Sequence, residues 1–280
     1  MISYERILTF SIAHILAIFG FIYCINNPNP IYLFFEIFLW HNLLGLGITA
    51  GAHRLWSHKS YKATKLLKFF LMILNSMCNQ GHLIYWCRDH RTHHKYSDTE
   101  KDPHSSLYGF FYSHIGWLLI KKPNEVIEAG KKIPFDDLYQ DDVVMFQYKL
   151  FPWWNLFWCF LVPTFYGKWR LDSYWEGFLI FGVFRWLLTM HSTWCVNSIA
   201  HFYGYRPYSN KNEARESFIT SIFAIGEGWH NYHHKYPYDY ATSEYGISNQ
   251  WNPTKLFIDV MYYLGQAYDL KRVKKVKKIN

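Results

Sequence analysis

No Pro/Gly/Ser-rich linker or low-complexity stretch interrupts the 280 residues, which excludes an obvious division and predicts a single domain over 1–280. The five cysteines, Cys24, Cys78, Cys87, Cys159 and Cys195, form no C-x-x-C pair, so neither a disulfide framework nor a thiolate metal site is indicated. Charged side chains are almost missing from four long apolar runs. No small-residue cleavage pattern follows the first run, which leads through Asn26-Asn27-Pro28-Asn29-Pro30 into a second; the first run is therefore expected to remain as an anchor.

What the chain does have is segregation. Half its residues are hydrophobic and 21% aromatic, yet its mean hydropathy of −0.14 resembles that of a soluble protein, because polar stretches balance the apolar runs. That pattern predicts an all-α integral membrane protein. Four spans are expected, at about 7–25, 31–52, 151–166 and 174–200. The third is the shortest, but Trp153, Trp154, Trp158 and Trp169 flank it at the level where indole rings favour headgroups. Residues 65–85 are apolar but broken by lysines and a glycine, and are expected to lie along the surface.

The net charge of +8 is not spread evenly. Of the 29 Lys and Arg, one lies in 1–30, fourteen in 53–150, two in 167–173, one at Arg185 and eleven in 201–280. The positive-inside rule then puts both termini and the regions 53–150 and 201–280 on the cytosolic side, and lipid rather than nucleic acid explains the charge. Lys277-Lys278-Ile279-Asn280 resembles a dilysine endoplasmic-reticulum retrieval signal, with a basic tail on anionic lipid as the alternative. A bacterial source would instead mean the inner membrane.

Eight of fifteen histidines fall in three clusters: His53 and His58 in HRLWSH, His90, His93 and His94 in HRTHH, and His230, His233 and His234 in HNYHH. On a helix, positions i, i+3 and i+4 share a face, so each H-x-x-H-H can present its rings to one metal centre. Five residues turn a helix by roughly 500°, so His53 and His58 require the helix to end there or the pair to flank the site. His201, four residues after Asn197, is a ninth candidate, and Asn197 joins it. Eight or nine imidazoles exceed the ligand set of a zinc ion, which implies two metals, with iron favoured. Asp89, Asp98, Asp102, Glu216 and Glu227 are candidates to hold the ring N–H groups. His14, His41, His82, His104, His114 and His191 read as isolated structural histidines.

These motifs, with GITAGAHRLWSHKSYKA, DHRTHHKYSDTEKDPHS, FFYSHIGWLL, NSIAHFYGYRPY, GEGWHNYHHKYPYDY and SEYG, resemble the membrane acyl-CoA delta-9 (stearoyl-CoA) desaturases from about Gly47 to Asp269. The resemblance implies four spanning helices under a cytosolic helical cap and two irons held by His53, His58, His90, His93, His94, His201, His230, His233 and His234. Asn197 would reach one iron through water. It implies O2-dependent desaturation of a long-chain acyl-CoA, with O2 as co-substrate and electrons from cytochrome b5 and its NAD(P)H-dependent reductase. A ferredoxin-like donor would be the bacterial counterpart. No segment resembles a fused haem domain carrying H-P-G-G, and no haem or flavin is expected in the chain.

By the same resemblance, Gln80, Trp86, Thr193 and Trp194 line a bent acyl tunnel, Arg88, Lys121 and Lys122 contact the CoA phosphates, and Asp89 lies near the adenosine. His41 and Gly45 close the tunnel's far end, where Tyr and Ala are familiar, so a longer tail is expected to fit. Gly81, His82 and Tyr85 depart from the Asn, Asp and Glu common in animal enzymes. Competing readings are a related diiron hydroxylase or a desaturase of other regiospecificity, a receptor or metal-storage protein, and a zinc hydrolase, which needs only about three protein ligands.

Overall fold

A computed structural model describes residues 1–279, almost all of whose regular structure is helical. Helix α1 (Tyr4–Asn26) and α2 (Pro30–Ser57) form a hairpin. Asn27 Oδ1 accepts the Asn29 N–H at 3.0 Å in the turn, and Pro30 opens α2 at a position where its missing N–H costs nothing. Among the described residues three helices are long and apolar enough to cross a membrane: α1, α2 and, further on, Tyr174–Phe202.

The first correction concerns α2, which does not stop at residue 52. From Gly47 to Ser57 it continues with π winding, all eleven residues buried, and the His58 N–H bonds the His53 carbonyl at 3.1 Å. Bonding from i to i+5 brings two residues five apart onto one side, which ordinary helical periodicity forbids. Helix α3 (Lys65–Cys78) packs one face against this stretch, with Leu67, Leu71, Met72, Leu74, Asn75, Ser76, Met77 and Cys78 buried, while Leu66, Phe69 and Phe70 stay exposed on the other. The two backbones nearly touch: a Cβ on Gly47 would lie 2.1 Å from the Asn75 nitrogen. Asn79 (φ 43°) and Gly81 (φ 93°) then reverse the chain into α4 (Leu83–Tyr96), which carries HRTHH.

After α5 (Phe110–His114), α6 (Asn124–Lys131) and α7 (Asp142–Leu150), the chain enters α8 (153–171), a continuous helix with π winding over Phe157–Leu161. The helix at the predicted third span thus runs five residues beyond the apolar run. Helix α9 (Tyr174–Phe202) returns antiparallel, crossing α8 so closely that a Cβ on Gly167 would lie 2.0 Å from the Gly177 Cα. Arg185, fully buried in α9, donates to the carbonyls of Phe181 (2.9 Å), Met77 (2.8 Å) and Cys159 (2.7 Å). Phe181 and Cys159 both belong to π-wound stretches, so the guanidinium binds backbone oxygens where the regular helical pattern is disturbed. Short helices α10 (Phe218–Phe223) and α11 (His230–Lys235) and then α12 (Pro253–Tyr263) complete the end that bears the histidines. There Lys62 and Ala63 pair antiparallel with Tyr268 and Ala267.

Candidate metal centre and acyl site

The ends of α2 and α9, helix α4 and helix α11 converge, and nine histidines meet in two groups. His53, His58, His90, His94 and His233 form one; His93, His201, His230 and His234 form the other; within each group the ligand atoms lie within 4.8 Å of one another. Each H-x-x-H-H therefore divides between two groups instead of serving one, as the sequence suggested. The i and i+4 rings share a bearing, whereas the i+3 ring points about 100° away from its i+4 neighbour. Thus His90 and His94 go to the first group and His93 to the second, while His230 and His234 go to the second and His233 to the first.

The contacts that close each group run between ring Nε2 atoms: His53 to His233 at 2.9 Å, His58 to His90 at 2.8 Å, His93 to His234 at 3.2 Å and His201 to His230 at 3.1 Å. Carboxylates hold the opposite nitrogens. His53 Nδ1 lies 2.9 Å from Glu227 Oε2, His93 Nδ1 2.9 Å from Asp102 Oδ2 and His201 Nδ1 3.0 Å from Asp98 Oδ1. A carboxylate only accepts, so these three rings carry Nδ1–H and turn bare Nε2 lone pairs inward. The Asn212 amide lies 3.2 Å from His234 Nδ1, a partner the sequence reading missed. Of the five acids proposed for this task, Glu216 instead accepts the Tyr232 N–H at 2.8 Å, and Asp89 pairs with Lys122 at 2.5 Å.

The electrostatics keep six of the rings neutral, whereas Asp102, working against burial, raises His93. Burial first, and then the neighbouring imidazoles and arginines, push His58, His90, His94, His230, His233 and His234 well below the ordinary histidine range. Neutral imidazole is the form that binds metal. Burial resists ionisation of the supporting acids, but Arg54 and His53 hold Glu227 down at about 2, and His201 and His93 keep Asp98 and Asp102 low. His104, read as isolated, stands with its Nδ1 3.7 Å from Asp102 Oδ1 and forms a third cluster with Asp102 and His93. The D-P-H run of the sequence was the only sign of it.

Two cavities meet beside the metal-type groups. A narrow one of about 60 Å3 is lined by His53, His90, His93, His230 and Asn197 at one end and by His41, Gly45, Thr189 and Ile225 at the other. A wider one of about 340 Å3 is lined by Gln80, Trp86, Asp89, Lys122, Thr193 and Trp194. Trp86, His90, Thr193 and Asn197 belong to both. At the junction Trp86 Nε1 donates to Gln80 Oε1 at 3.0 Å and Gln80 Nε2 to Thr193 Oγ1 at 2.8 Å, a hydrogen-bonded string across the bend.

Arg88 and Lys121 do not line the wider cavity. Arg88 sits 3.7 Å from Asp89 and over the Tyr85 ring, and Lys121 is exposed, its backbone N–H bonded to Met1. Arg6, which nothing in the sequence marked, does line it. His82 packs its ring 3.9 Å from that of Phe151 at the same mouth. At the far end of the narrow cavity, His41 Nε2–H donates to the Phe223 carbonyl at 2.8 Å, and a Cβ on Gly45 would lie 2.9 Å from Ile225 Cδ1.

Residues 28–246 match the family model for fatty acid desaturase. With its histidine groups and membrane-length helices, the chain belongs to the fatty acid desaturase family, and within it to the stearoyl-CoA, or delta-9, group of membrane oxidoreductases. It is 44% identical to stearoyl-CoA desaturase 5 of Bos taurus over 276 residues, 98% of this chain and 81% of that protein. It is 45% identical to an acyl-CoA desaturase of Cyprinus carpio over 98% of this chain and 83% of that one. With the delta(9)-fatty-acid desaturase fat-7 of Caenorhabditis elegans it shares 47% over 232 residues, 82% of this chain and 68% of the relative.

Proposed function

We propose that this protein introduces a double bond at carbon 9 of a long-chain saturated acyl-CoA, stearoyl- or palmitoyl-CoA, using two irons and O2. The observation that carries the reading is the division of nine imidazoles into groups of five and four beside the junction of two cavities. The residues fit the metals: carboxylates take the Nδ1–H of His53, His93 and His201, which turns their Nε2 atoms inward to within 2.9–3.2 Å of further imidazole nitrogens, a donor set that suits a cation. Iron supplied with electrons and O2 provides an oxidant able to remove hydrogen from an unactivated methylene pair, which side-chain acids and bases cannot do.

The protein's own residues hold and place the reactants. His53, His58, His90, His94 and His233 hold one metal; His93, His201, His230 and His234 hold the other, with Asn197 at the cavity wall beside it. Gln80, Trp86 and Thr193 fix the bend at which the chain passes the metals. Lys122 offers a cation to the CoA phosphates at the mouth with Arg88 and Lys121 behind it, Asp89 lies by the adenosine, and Trp194 borders the outer chamber. His41 and Gly45 receive the methyl end.

Four spans beneath a cytosolic cap suit this arrangement. Helix α8 is 19 residues long, bracketed by tryptophans and packed along α9, and the lysine and arginine distribution leaves only Lys168 and Arg170 on the far side. Residues 1–280 act as one domain in the endoplasmic-reticulum membrane, taking electrons from cytochrome b5 and its reductase.

The test is expression in desaturase-deficient yeast, with fatty acids analysed by gas chromatography and mass spectrometry against a His93→Ala control. New 16:1 and 18:1 acids unsaturated at carbon 9, absent from the control, are expected. Hydroxylated products, or no new lipid from stable iron-loaded protein, would overturn the reading.

A further inference from the structure

Three histidines that lie apart in the sequence and outside the nine form a connected string. His14 on α1 approaches His191 on α9, Nε2 to Nε2, at 3.1 Å; His191 Nδ1 lies 3.0 Å from His114 Nε2 on α5; His114 Nδ1 lies 2.9 Å from Ser198 Oγ. His14 Nδ1 lies 2.6 Å from the Phe10 carbonyl, and Ser198 Oγ donates to the Trp194 carbonyl at 2.9 Å.

The proton positions along the string follow from its two ends. A carbonyl accepts only, so His14 Nδ1 carries hydrogen and a neutral His14 presents a bare Nε2. At the other end, Ser198 spends its single hydrogen on Trp194. His114 Nδ1 must then donate to Ser198, so His114 Nε2 accepts and His191 Nδ1 donates to it. That leaves His191 Nε2 bare as well. Two lone pairs thus face each other at 3.1 Å between α1 and α9. The nine desaturase histidines make the same Nε2-to-Nε2 contact, at 2.8–3.2 Å.

A cation between the rings resolves the conflict. Among the described residues no carboxylate bonds any of the three rings, so an imidazolium here would be a charge with no partner within apolar helices, which is costly. A late first-row transition ion fits the donors: nitrogen bonds of about 2.0–2.1 Å to two atoms 3.1 Å apart subtend roughly 100°, near the tetrahedral angle. Both rings are half-buried in the protein.

We infer that His14 and His191 form a third transition-metal site of zinc type, separate from the nine histidines, with His114 orienting His191 from behind. The structure gives this pair the features of a ligand pair: each remote nitrogen is held by a fixed partner, and each near nitrogen faces the other without a hydrogen.

Zinc binding to the full-length protein, purified in detergent with its native metals, tests the inference. Bound zinc and retained iron are counted in the same samples by inductively coupled plasma mass spectrometry as zinc is added at neutral pH. Wild type is expected to bind one zinc equivalent more than either His14→Gln or His191→Gln, whose affinity for it falls at least tenfold while iron stays at the wild-type level. His114→Gln, which removes only the orienting ring, should weaken binding less than either. Equal zinc uptake by wild type and His14→Gln, or zinc bound only as iron leaves, overturns the site and identifies the 3.1 Å contact as a shared proton. Should His191→Gln lose its iron through a folding defect, His14→Gln on the peripheral helix α1 decides the question by itself.

Discussion

Arg54 and Glu227 form an ion pair out of reach of solvent, Nη2 to Oε1 at 2.8 Å, and the other carboxylate oxygen of Glu227 takes the Nδ1–H of His53 at 2.9 Å. The guanidinium also donates to the carbonyls of Tyr240 (3.0 Å) and Ala241 (3.2 Å). One arginine thus ties the π-wound end of α2 to a metal-type histidine and to the loop after α11.

Because removing one partner strands a buried charge, Arg54→Met should cost roughly 3–5 kcal/mol of stability. Glu227→Gln keeps the shape but weakens the hold on His53, and should lower metal affinity about 10–100-fold. Thermal melting and iron content of the two purified variants check both; a Glu227→Gln protein that holds iron as tightly as wild type would refute the assigned role.

Two buried acids should give opposite pH signatures. Glu227 falls from 4.5 to about 2 on folding, so its contribution is complete above pH 4.5 and lost as the pH drops towards 2. Burial raises Glu216 from 4.5 to about 8, so its contribution is complete below pH 4.5 and fades as the pH rises through 8. Glu216→Gln, which can still accept the Tyr232 N–H, should therefore flatten the loss of melting temperature between pH 5 and 9. An unchanged slope would show that Glu216 ionises freely in the folded protein.

Gly45→Ala should shorten the preferred acyl chain. The new methyl would stand 2.9 Å from Ile225 Cδ1, the far end of a flexible side chain, so the helix can tolerate it while the cavity narrows. The 18:1 to 16:1 product ratio in yeast should fall severalfold; an unchanged ratio removes Gly45 from the closure.

Gly47→Ala makes the opposite kind of demand. Its methyl would meet the Asn75 backbone nitrogen at 2.1 Å, and backbone cannot swing aside. Overpacking typically costs about 1–3 kcal/mol, and this contact belongs at or above the top of that range. Detergent-extracted yield and melting temperature measure it.

Much of this was legible in the sequence because its signals are local. Apolar runs announced α1, α2 and α9, and the repeated H-x-x-H-H announced metal binding. The α8 limits were misjudged because its last turn is amphipathic and aromatic rather than apolar. The closeness of His53 and His58 was hidden because π winding has no signature in 3.6-residue periodicity. Arg6, Asn212 and His104 escaped because each acquires its neighbours only when distant segments meet. The division of each H-x-x-H-H between two groups was accessible from helical geometry, since i+3 and i+4 diverge by one residue's rotation, but the motif's compactness suggested a single target.

Under the proposed two-metal reading, that division would link the fates of the two ions. Helices α4 and α11 each grip both positions, so emptying one loosens rings whose backbone turn also supports the other. A chelator should strip the ions as a pair, and a chain short of iron should sort into fully charged and bare molecules, with few half-filled ones between.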